Sequence, residues 1–307
     1  MDGRIRVLHV ITRLDPGGSA ENTVLSVERV DPDRFDSYVW TGPGLHGGGP
    51  PEPYARRLHG RITVLPHLVR PIRPLKDLLA VFELTARLRR DPPGILHLHS
   101  AKAGALGRIA ARLARYRGKT IYTPHGHIFS GYGGPLACRV FTFIEKWLAP
   151  QCDAIVGLTG DEVRQFLAHG AGQPGQFTVI PSGVEIDPFE AAVSARNRVR
   201  KQFGFSRKTP LIGFFGRFAP VKGPDQFIEV AARILRQVPK LRVLMVGDGP
   251  MLHALKRRAG ELHLDEIITW TGWRSDIPEL VAALDLLLNT SRNEGQGRVV
   301  VEAAAAG

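Results

Sequence analysis

Leu211-Ile-Gly-Phe-Phe-Gly-Arg-Phe-Ala-Pro-Val-Lys-Gly223 decides the fold class of this chain. Its first five residues are an apolar run of strand length, and they end in a glycine-bounded loop that opens onto a helical pattern, Asp225 to Arg236. Strand, loop and helix in that order form the repeating unit of a parallel sheet with crossover helices. Downstream the unit recurs, with strands predicted at Leu241 to Val246, Ile267 to Trp270 and Leu284 to Leu288, and helices near Met251 to Leu262 and Ile277 to Ala283. Upstream, Arg4 to Ile11, Ser37 to Thr41, Ile62 to Leu65, Ile95 to Leu98, Thr120 to Thr123, Ala154 to Leu158 and Thr178 to Ile180 read as strands. Pro74 to Arg90 and Ala103 to Arg115 read as helices, the second with Arg108, Arg112 and Arg115 off its apolar stripe, and Gly42 to Pro53 as an irregular loop. The alternation breaks at Ile180-Pro-Ser-Gly-Val184, passes a charged helix around Arg196 to Gln202, and restarts at Leu211. An α/β chain of two successive doubly wound units follows, 1–182 and 183–307, with a hinge near Pro181 to Val184. Val299 to Ala306 reads as a helix with no strand after it, so the second unit is expected to be C-terminally truncated.

The 307 residues, 43% hydrophobic and 23% charged, exclude a disordered or fibrous chain. No apolar run approaches the roughly 18 residues of a membrane-spanning helix, and the opening MDGRIRVLHVI is a strand pattern, so a cytoplasmic chain is expected. Cys138 and Cys152 stand outside any C-x-x-C pair and are expected to be buried free thiols. The 41 Lys and Arg against 29 Asp and Glu leave +12, which favours anionic partners. Nucleic acid is not expected among them, because the cations are spread over many elements without a helix-turn-helix, RNP or zinc pattern.

Four motifs can carry chemistry. Strand Arg4 to Ile11 runs into Asp15-Pro-Gly17-Gly18, a turn whose backbone N–H groups can approach a phosphate, although the full G-x-G-x-x-G spacing of a dinucleotide site is missing. Arg217 and Lys222 flank a loop at the C-terminal edge of the second sheet, where ligands of open α/β folds bind, and together they can neutralise a diphosphate. Glu294 and Glu302, eight apart across a glycine loop and a helix start, suit sugar and ribose hydroxyls as paired acceptors. Val246-Gly247-Asp248-Gly249-Pro250 is a strand-end turn. His97 and His99 share a strand face and could hold a metal, but no third ligand of suitable spacing follows them, and no metal site is expected.

In order and spacing, the Gly17-Gly18 turn, the Gly216-Arg217 to Lys222-Gly223 loop, Gly247 to Pro250 and the E-x7-E pair resemble family 4 glycosyltransferases of the GT-B fold. The resemblance covers essentially the whole chain and implies two Rossmann-like domains facing a cleft, acceptor-side first and nucleotide-sugar-binding second. It implies a retaining hexosyltransferase in which Arg217 and Lys222 hold the donor diphosphate and stabilise the leaving charge in place of a metal. Glu294 would meet the donor sugar hydroxyls, Glu302 the ribose, and Gly216, Gly247 and Gly295 would line the donor site. Gly17 and Gly18 would let the first domain close over the donor, while His125 matches the family's histidine at the transferred sugar. No cofactor or metal is implied.

The segments His97 to Arg108 and Tyr122 to His127 are similar to enzymes that build capsular polysaccharide, exopolysaccharide or lipid-linked oligosaccharides. That likeness implies a UDP-linked N-acetylhexosamine or hexose donor and a glycan or polyprenyl-diphosphate-linked acceptor, with GDP-mannose, a soluble acceptor, or a non-catalytic nucleotide-binding fragment as alternatives. Two features point to a peripheral place on the anionic inner face of the plasma membrane. One is a basic cluster of Arg108, Arg112, Arg115, Arg117 and Lys119; the other is the stretch Gly134 to Pro150, with Leu136, Phe141, Phe143, Trp147 and Leu148 among Arg139 and Lys146.

Overall fold

A computed structural model of the chain describes residues 3–44, 49–126, 129 and 135–307. It divides into two units, Met1–Gly183 and Val184–Gly307. In unit 1 the elements run β1 (Ile5–Ile11), α1 (Gly18–Glu28), β2 (Phe35–Thr41), α2 (Glu52–Arg57), β3 (Ile62–Val64), α3 (Pro74–Arg90), β4 (Ile95–His99), α4 (Ala101–Ala114), β5 (Lys119–Thr123), α5 (Pro135–Leu148), β6 (Ala154–Gly157), α6 (Gly160–Ala168) and β7 (Phe177–Val179). Its seven strands are all parallel, in the order β3-β2-β1-β4-β5-β6-β7. The direction of winding therefore reverses between β1 and β4.

Unit 2 runs α7 (Asp187–Ala192), α8 (Arg196–Gln202), β8 (Leu211–Phe215), α9 (Pro224–Gln237), β9 (Arg242–Val246), α10 (Leu252–Glu261), β10 (Ile268–Gly272), α11 (Ile277–Ala282), β11 (Leu286–Leu287) and α12 (Arg298–Ala305). Its four parallel strands lie in the order β10-β9-β8-β11, and here the reversal falls between β8 and β11.

Alternating strand residues feed two cores per unit, which is why these strands read as unbroken Val, Ile and Leu runs. Leu8, Val10, Leu96 and Leu98 pack with Leu84, Leu88, Ala103 and Ala110 of α3 and α4, while Ile11 and Val39 meet Ala20, Val24 and Leu58 on the other face. In unit 2, Ile212, Phe214, Val243 and Met245 pack with Phe227, Ile228 and Leu255, and Leu211, Leu244 and Val246 with Val199, Leu280 and Leu284. α3 and α9 open with proline at a first-turn position, where its missing N–H costs no helical hydrogen bond. α4 packs on the sheet through glycines that leave no room for a side chain. A Cβ on Gly104 would come within 2.3 Å of the Tyr122 ring, and one on Gly107 within 2.3 Å of Leu98.

The structure corrects the reading of Arg108 as part of an exposed basic cluster. Its side chain is fully buried between α4 and α5, where Nη2 donates to Glu145 Oε1 at 2.8 Å and Nε to Gly104 O at 2.9 Å, with the guanidinium over the Tyr122 ring. The partner Glu145 lies 37 residues further along, and its carboxylate also accepts from Tyr122 at 3.2 Å. A charge with a buried counter-charge and a ring to stack on no longer needs solvent. Both cysteines are free, Cys152 buried and Cys138 only half-buried. His127 and Gly134 lie outside the described residues, as do 45–48 within the Gly42 to Pro53 loop.

Candidate active site

In open α/β sheets, ligands bind beyond the carboxyl ends of the strands where the winding reverses. Each unit brings candidate residues to that place. In unit 2, β8 is followed by Gly216, and the chain then forms a short turn at Pro220–Lys222 before α9. After β11, residues 289–294 fold back over that turn. Arg292 N and Asn293 N both donate to Val221 O, Thr290 Oγ1 donates to Gly223 O at 2.8 Å, and Arg292 forks onto Asp225. Only glycine fits at position 223, which has φ +62 and where a Cβ would stand 2.0 Å from Thr290 O.

The two loops thereby place Lys222 Nζ 2.6 Å from Glu294 Oε1, an oxygen that also accepts from Ser291 Oγ at 2.7 Å. Lysine and glutamate are both partly open to solvent. Arg217 is half-buried and makes no side-chain hydrogen bond or ion pair among the described residues. The turn after β9 closes the floor. Gly216 N donates to Val246 O, Phe218 N to Asp248 O and Gly247 N to Gly272 O, and a Cβ on Gly247 would meet Gly216 O at 2.0 Å. Gly295 and Gly297 lead into α12, where Glu302 stands 3.8 Å from Arg298. A cavity of about 430 Å³ in this unit lies elsewhere, beside β11 and Arg196.

In unit 1, Gly17 caps α1 and Gly18 begins it, directly beyond β1. Beyond β4 and β5 two non-glycine residues have positive φ, Ser100 at 69 and His125 at 62, a region that residues with a Cβ adopt uncommonly. Beneath them lies a group of imidazoles. His9 of β1 pairs in register with His97 of β4, and alternation puts His97 and His99 on one face. His9 Nδ1 is 2.9 Å from His99 Nε2, His99 Nδ1 is 2.8 Å from His125 Nε2, and His97 Nε2 is 2.8 Å from Thr123 Oγ1. Burial pushes His9 and His99 well below the ordinary imidazole value, with the neighbouring imidazoles adding to the effect, and pushes His97 down to about 4.

The expectation that His97 and His99 lack a third partner is thus corrected. His9 supplies it from 90 residues before His99, and the three offer ring nitrogens within 4.8 Å of one another. Both nitrogens of His99 are already engaged, however, so a metal would have to break one of these contacts. Glu162, fully buried at the start of α6, holds the chain just after His125 by accepting from Gly126 N at 2.9 Å and Leu158 N at 2.6 Å. Neither His9 nor Glu162 stands out in the sequence. The only signal was a histidine at matching depth on the two strands that flank the winding reversal.

Residues 7–183 match the family model of the glycosyl transferase 4-like domain and residues 195–307 that of glycosyl transferases group 1. The chain belongs to this family, whose members are glycosyltransferases of the GT-B type. Among its relatives is the Escherichia coli UDP-Gal:alpha-D-GlcNAc-diphosphoundecaprenol alpha-1,3-galactosyltransferase, 30% identical over 250 residues that make up 80% of this chain and 64% of the relative. The 2-deoxystreptamine glucosyltransferase of Streptomyces kanamyceticus is 31% identical over 169 residues, 54% of this chain and 44% of the relative. The chain thus spans less than two thirds of the length of these curated relatives. Among solved structures, Anabaena HepE in complex with UDP and glucose superposes with a TM-score of 0.80 at 23% identity, covering 99% of this chain and 79% of HepE. Sucrose-phosphate synthase from Thermosynechococcus elongatus gives 0.81 at 17%, covering 99% and 80%. At these identities the likeness establishes the fold.

Proposed function

We propose that the chain carries the donor and acceptor sites of a retaining glycosyltransferase that moves a hexose or N-acetylhexosamine from a UDP-linked donor to a polyprenyl-diphosphate-linked or polysaccharide acceptor. The observation that carries this reading is the contact of Lys222 with Glu294 at the winding reversal of unit 2, with Arg217 on the loop that leads from β8 to Lys222. Arg217 and Lys222 hold the donor diphosphate and take up the charge that develops as the nucleoside diphosphate leaves, a task that fixed cations perform without reorganisation. Glu294 accepts from the sugar hydroxyls and Glu302 from the ribose, with Gly216, Gly247 and Gly295 allowing close approach of the ligand. In unit 1, His125 orients the transferred sugar, and Gly17 and Gly18 leave room for phosphate oxygens. No metal takes part, so transfer is expected to persist in EDTA. The UDP and glucose bound by HepE and the lipid-linked acceptor of the Escherichia coli relative support the donor and acceptor classes.

The acceptor side also carries the membrane reading. α5 presents Leu136, Val140, Phe143 and Trp147 to solvent along one stripe, beside exposed Arg139 and Lys146. α3 exposes a second stripe, Leu75, Leu78, Leu79 and Phe82. Both helices pack against α4, hence on the same side of the sheet, and apolar side chains beside cations suit an anionic bilayer surface. No helix among the described residues is long and apolar enough to cross a membrane. Binding to vesicles containing anionic lipid, reduced by Phe143→Ser with Trp147→Ser, supports this surface; equal recovery with and without vesicles refutes it.

Calorimetric titration with UDP, GDP and ADP tests the donor assignment. Selective binding of UDP, weakened by about 1.5 to 3 kcal/mol in Lys222→Ala, is the expected result. Binding that Lys222→Ala leaves untouched refutes the diphosphate site, and preference for GDP replaces the donor.

A further inference from the structure

The imidazoles of unit 1 form a chain from the sheet interior to its edge: His9 on β1, His99 at the end of β4, and His125 just beyond β5. His9 and His99 are 3% and 0% exposed. His97 stands aside from the chain, its Nε2 engaged by Thr123, and the carboxylate of Glu162 is taken up by the backbone of Gly126 and Leu158. A neutral imidazole has one N–H and one bare nitrogen, so each contact needs a donor on one ring and an acceptor on the next. Counting protons along the chain leaves two solutions. If His9 donates from Nδ1, His99 Nε2 is bare, His99 donates from Nδ1, His125 Nε2 is bare, and His125 carries its proton on Nδ1. If His125 donates from Nε2, then His99 and His9 also carry theirs on Nε2. In both solutions all three rings share one tautomer.

We propose that His9 and His99 are positioning residues for His125, a hydrogen-bonded chain of three like tautomers that fixes both the ring and the proton position of the histidine meeting the substrate. The positive φ of His125 fits this role, since a residue held in a sparsely populated conformation needs its surroundings to keep it there. What the chain sets is whether the second ring nitrogen of His125, Nδ1, carries a proton or a lone pair, and so which kind of group it can hold. Neither His9 nor His99 needs to touch substrate for this. The inference rests on the reading of His125 as a sugar-site residue, but its first test does not.

The test is two-bond proton–nitrogen correlation on the chain labelled with nitrogen-15 histidine at pH 7.5, assigned by single-histidine substitutions. His9, His99 and His125 are expected to be neutral and of one tautomer. Unlike tautomers on neighbouring rings, an equal mixture at His125, or a cationic ring overturns the proposal. His9→Phe, remote from the edge, is expected to turn the single tautomer of His125 into a mixture and to leave UDP affinity within about twofold. In a transfer assay it should lower kcat roughly tenfold, the worth of one ordinary hydrogen bond, with little change in KM, and His9→Gln, whose amide can donate or accept, should recover most of that loss. An unchanged His125 spectrum in His9→Phe also overturns the proposal. If His9→Phe fails to fold, the wild-type spectrum still decides. If the tautomers agree while His125→Ala transfers normally, the chain stands and the sugar-site reading falls; if they disagree while His125→Ala is inactive, the reverse holds.

Discussion

At the winding reversal of unit 1, between β1 and β4, the chain buries two imidazoles and links them to a third at the edge. At that of unit 2, between β8 and β11, it leaves an arginine and a lysine–glutamate pair partly open to water. The same architecture therefore serves two kinds of chemistry. Imidazoles at fixed hydrogen-bond distance, largely shielded from solvent, are suited to orienting a ligand, and partly solvated charges on loops to neutralising one. A similar contrast lies beneath the sheets. Arg108 of unit 1 meets one buried carboxylate, whereas Arg200 of unit 2 is tied to the carbonyls of Ala283, Ser206, Arg207 and Thr209 as well as to Asp285. In unit 1 the pair is imperfect, since Arg108 Nη1 and Glu145 Oε2 are buried without hydrogen-bond partners among the described residues.

The largest expected effect breaks that pair. Glu145→Ala leaves the Arg108 charge buried alone and should destabilise unit 1 by about 3 to 5 kcal/mol, while Arg108→Met with Glu145→Leu should recover most of it; denaturant unfolding of the three chains checks both. Next, on the exposed side of the comparison, Lys222→Ala should reduce transfer roughly 100- to 1,000-fold, the loss seen when one fixed stabilising group of a developing charge is removed. Its unfolding midpoint should hardly move, because a partly solvated ion pair is worth at most about 1 kcal/mol.

A third prediction separates the units by pH. Free imidazoles take up protons below about 6.5, but His97, pushed down to about 4, and the deeper His9 and His99 do not while unit 1 is folded. The unfolded state then binds more protons, so the stability of unit 1 should fall as pH drops from about 6.5 toward 4, with a limiting slope of about 1.4 kcal/mol per pH unit for each such ring. The two histidines of unit 2, His253 and His263, are exposed. Acid unfolding followed by hydrogen exchange in each unit reads the difference. The smallest effect is expected for Arg292→Ala, which removes a bidentate but half-exposed pair with Asp225 and should cost less than about 1 kcal/mol.

Much of this architecture was legible from pattern. Strands buried on both faces are continuous apolar runs, so β8 and the helices at Pro74–Arg90 and Arg196–Gln202 could be read residue for residue. Loop cations and carboxylates at strand ends were legible as candidates. That Lys222 touches Glu294 was not, because the contact joins residues 72 apart through the fold of two loops. Arg108 was misread for the same reason. Its position on α4 looks polar until α5 delivers Glu145, and no local pattern announces a partner of that kind. His9 was hidden by the order of the strands. β1 and β4 become neighbours only because the sheet reverses its winding, which a run of alternating elements does not specify.

The Lys222–Glu294 contact also bears on the ionic atmosphere of the site. A diphosphate reaching Lys222 meets a cation that already owns a tethered counterion, so its binding there is an exchange of one anion for another rather than the capture of a bare charge. The affinity of such a site should decline with added salt less steeply than that of two uncompensated cations. On the proposed function, the displaced carboxylate would be released as the ligand arrives and could accept from its hydroxyls.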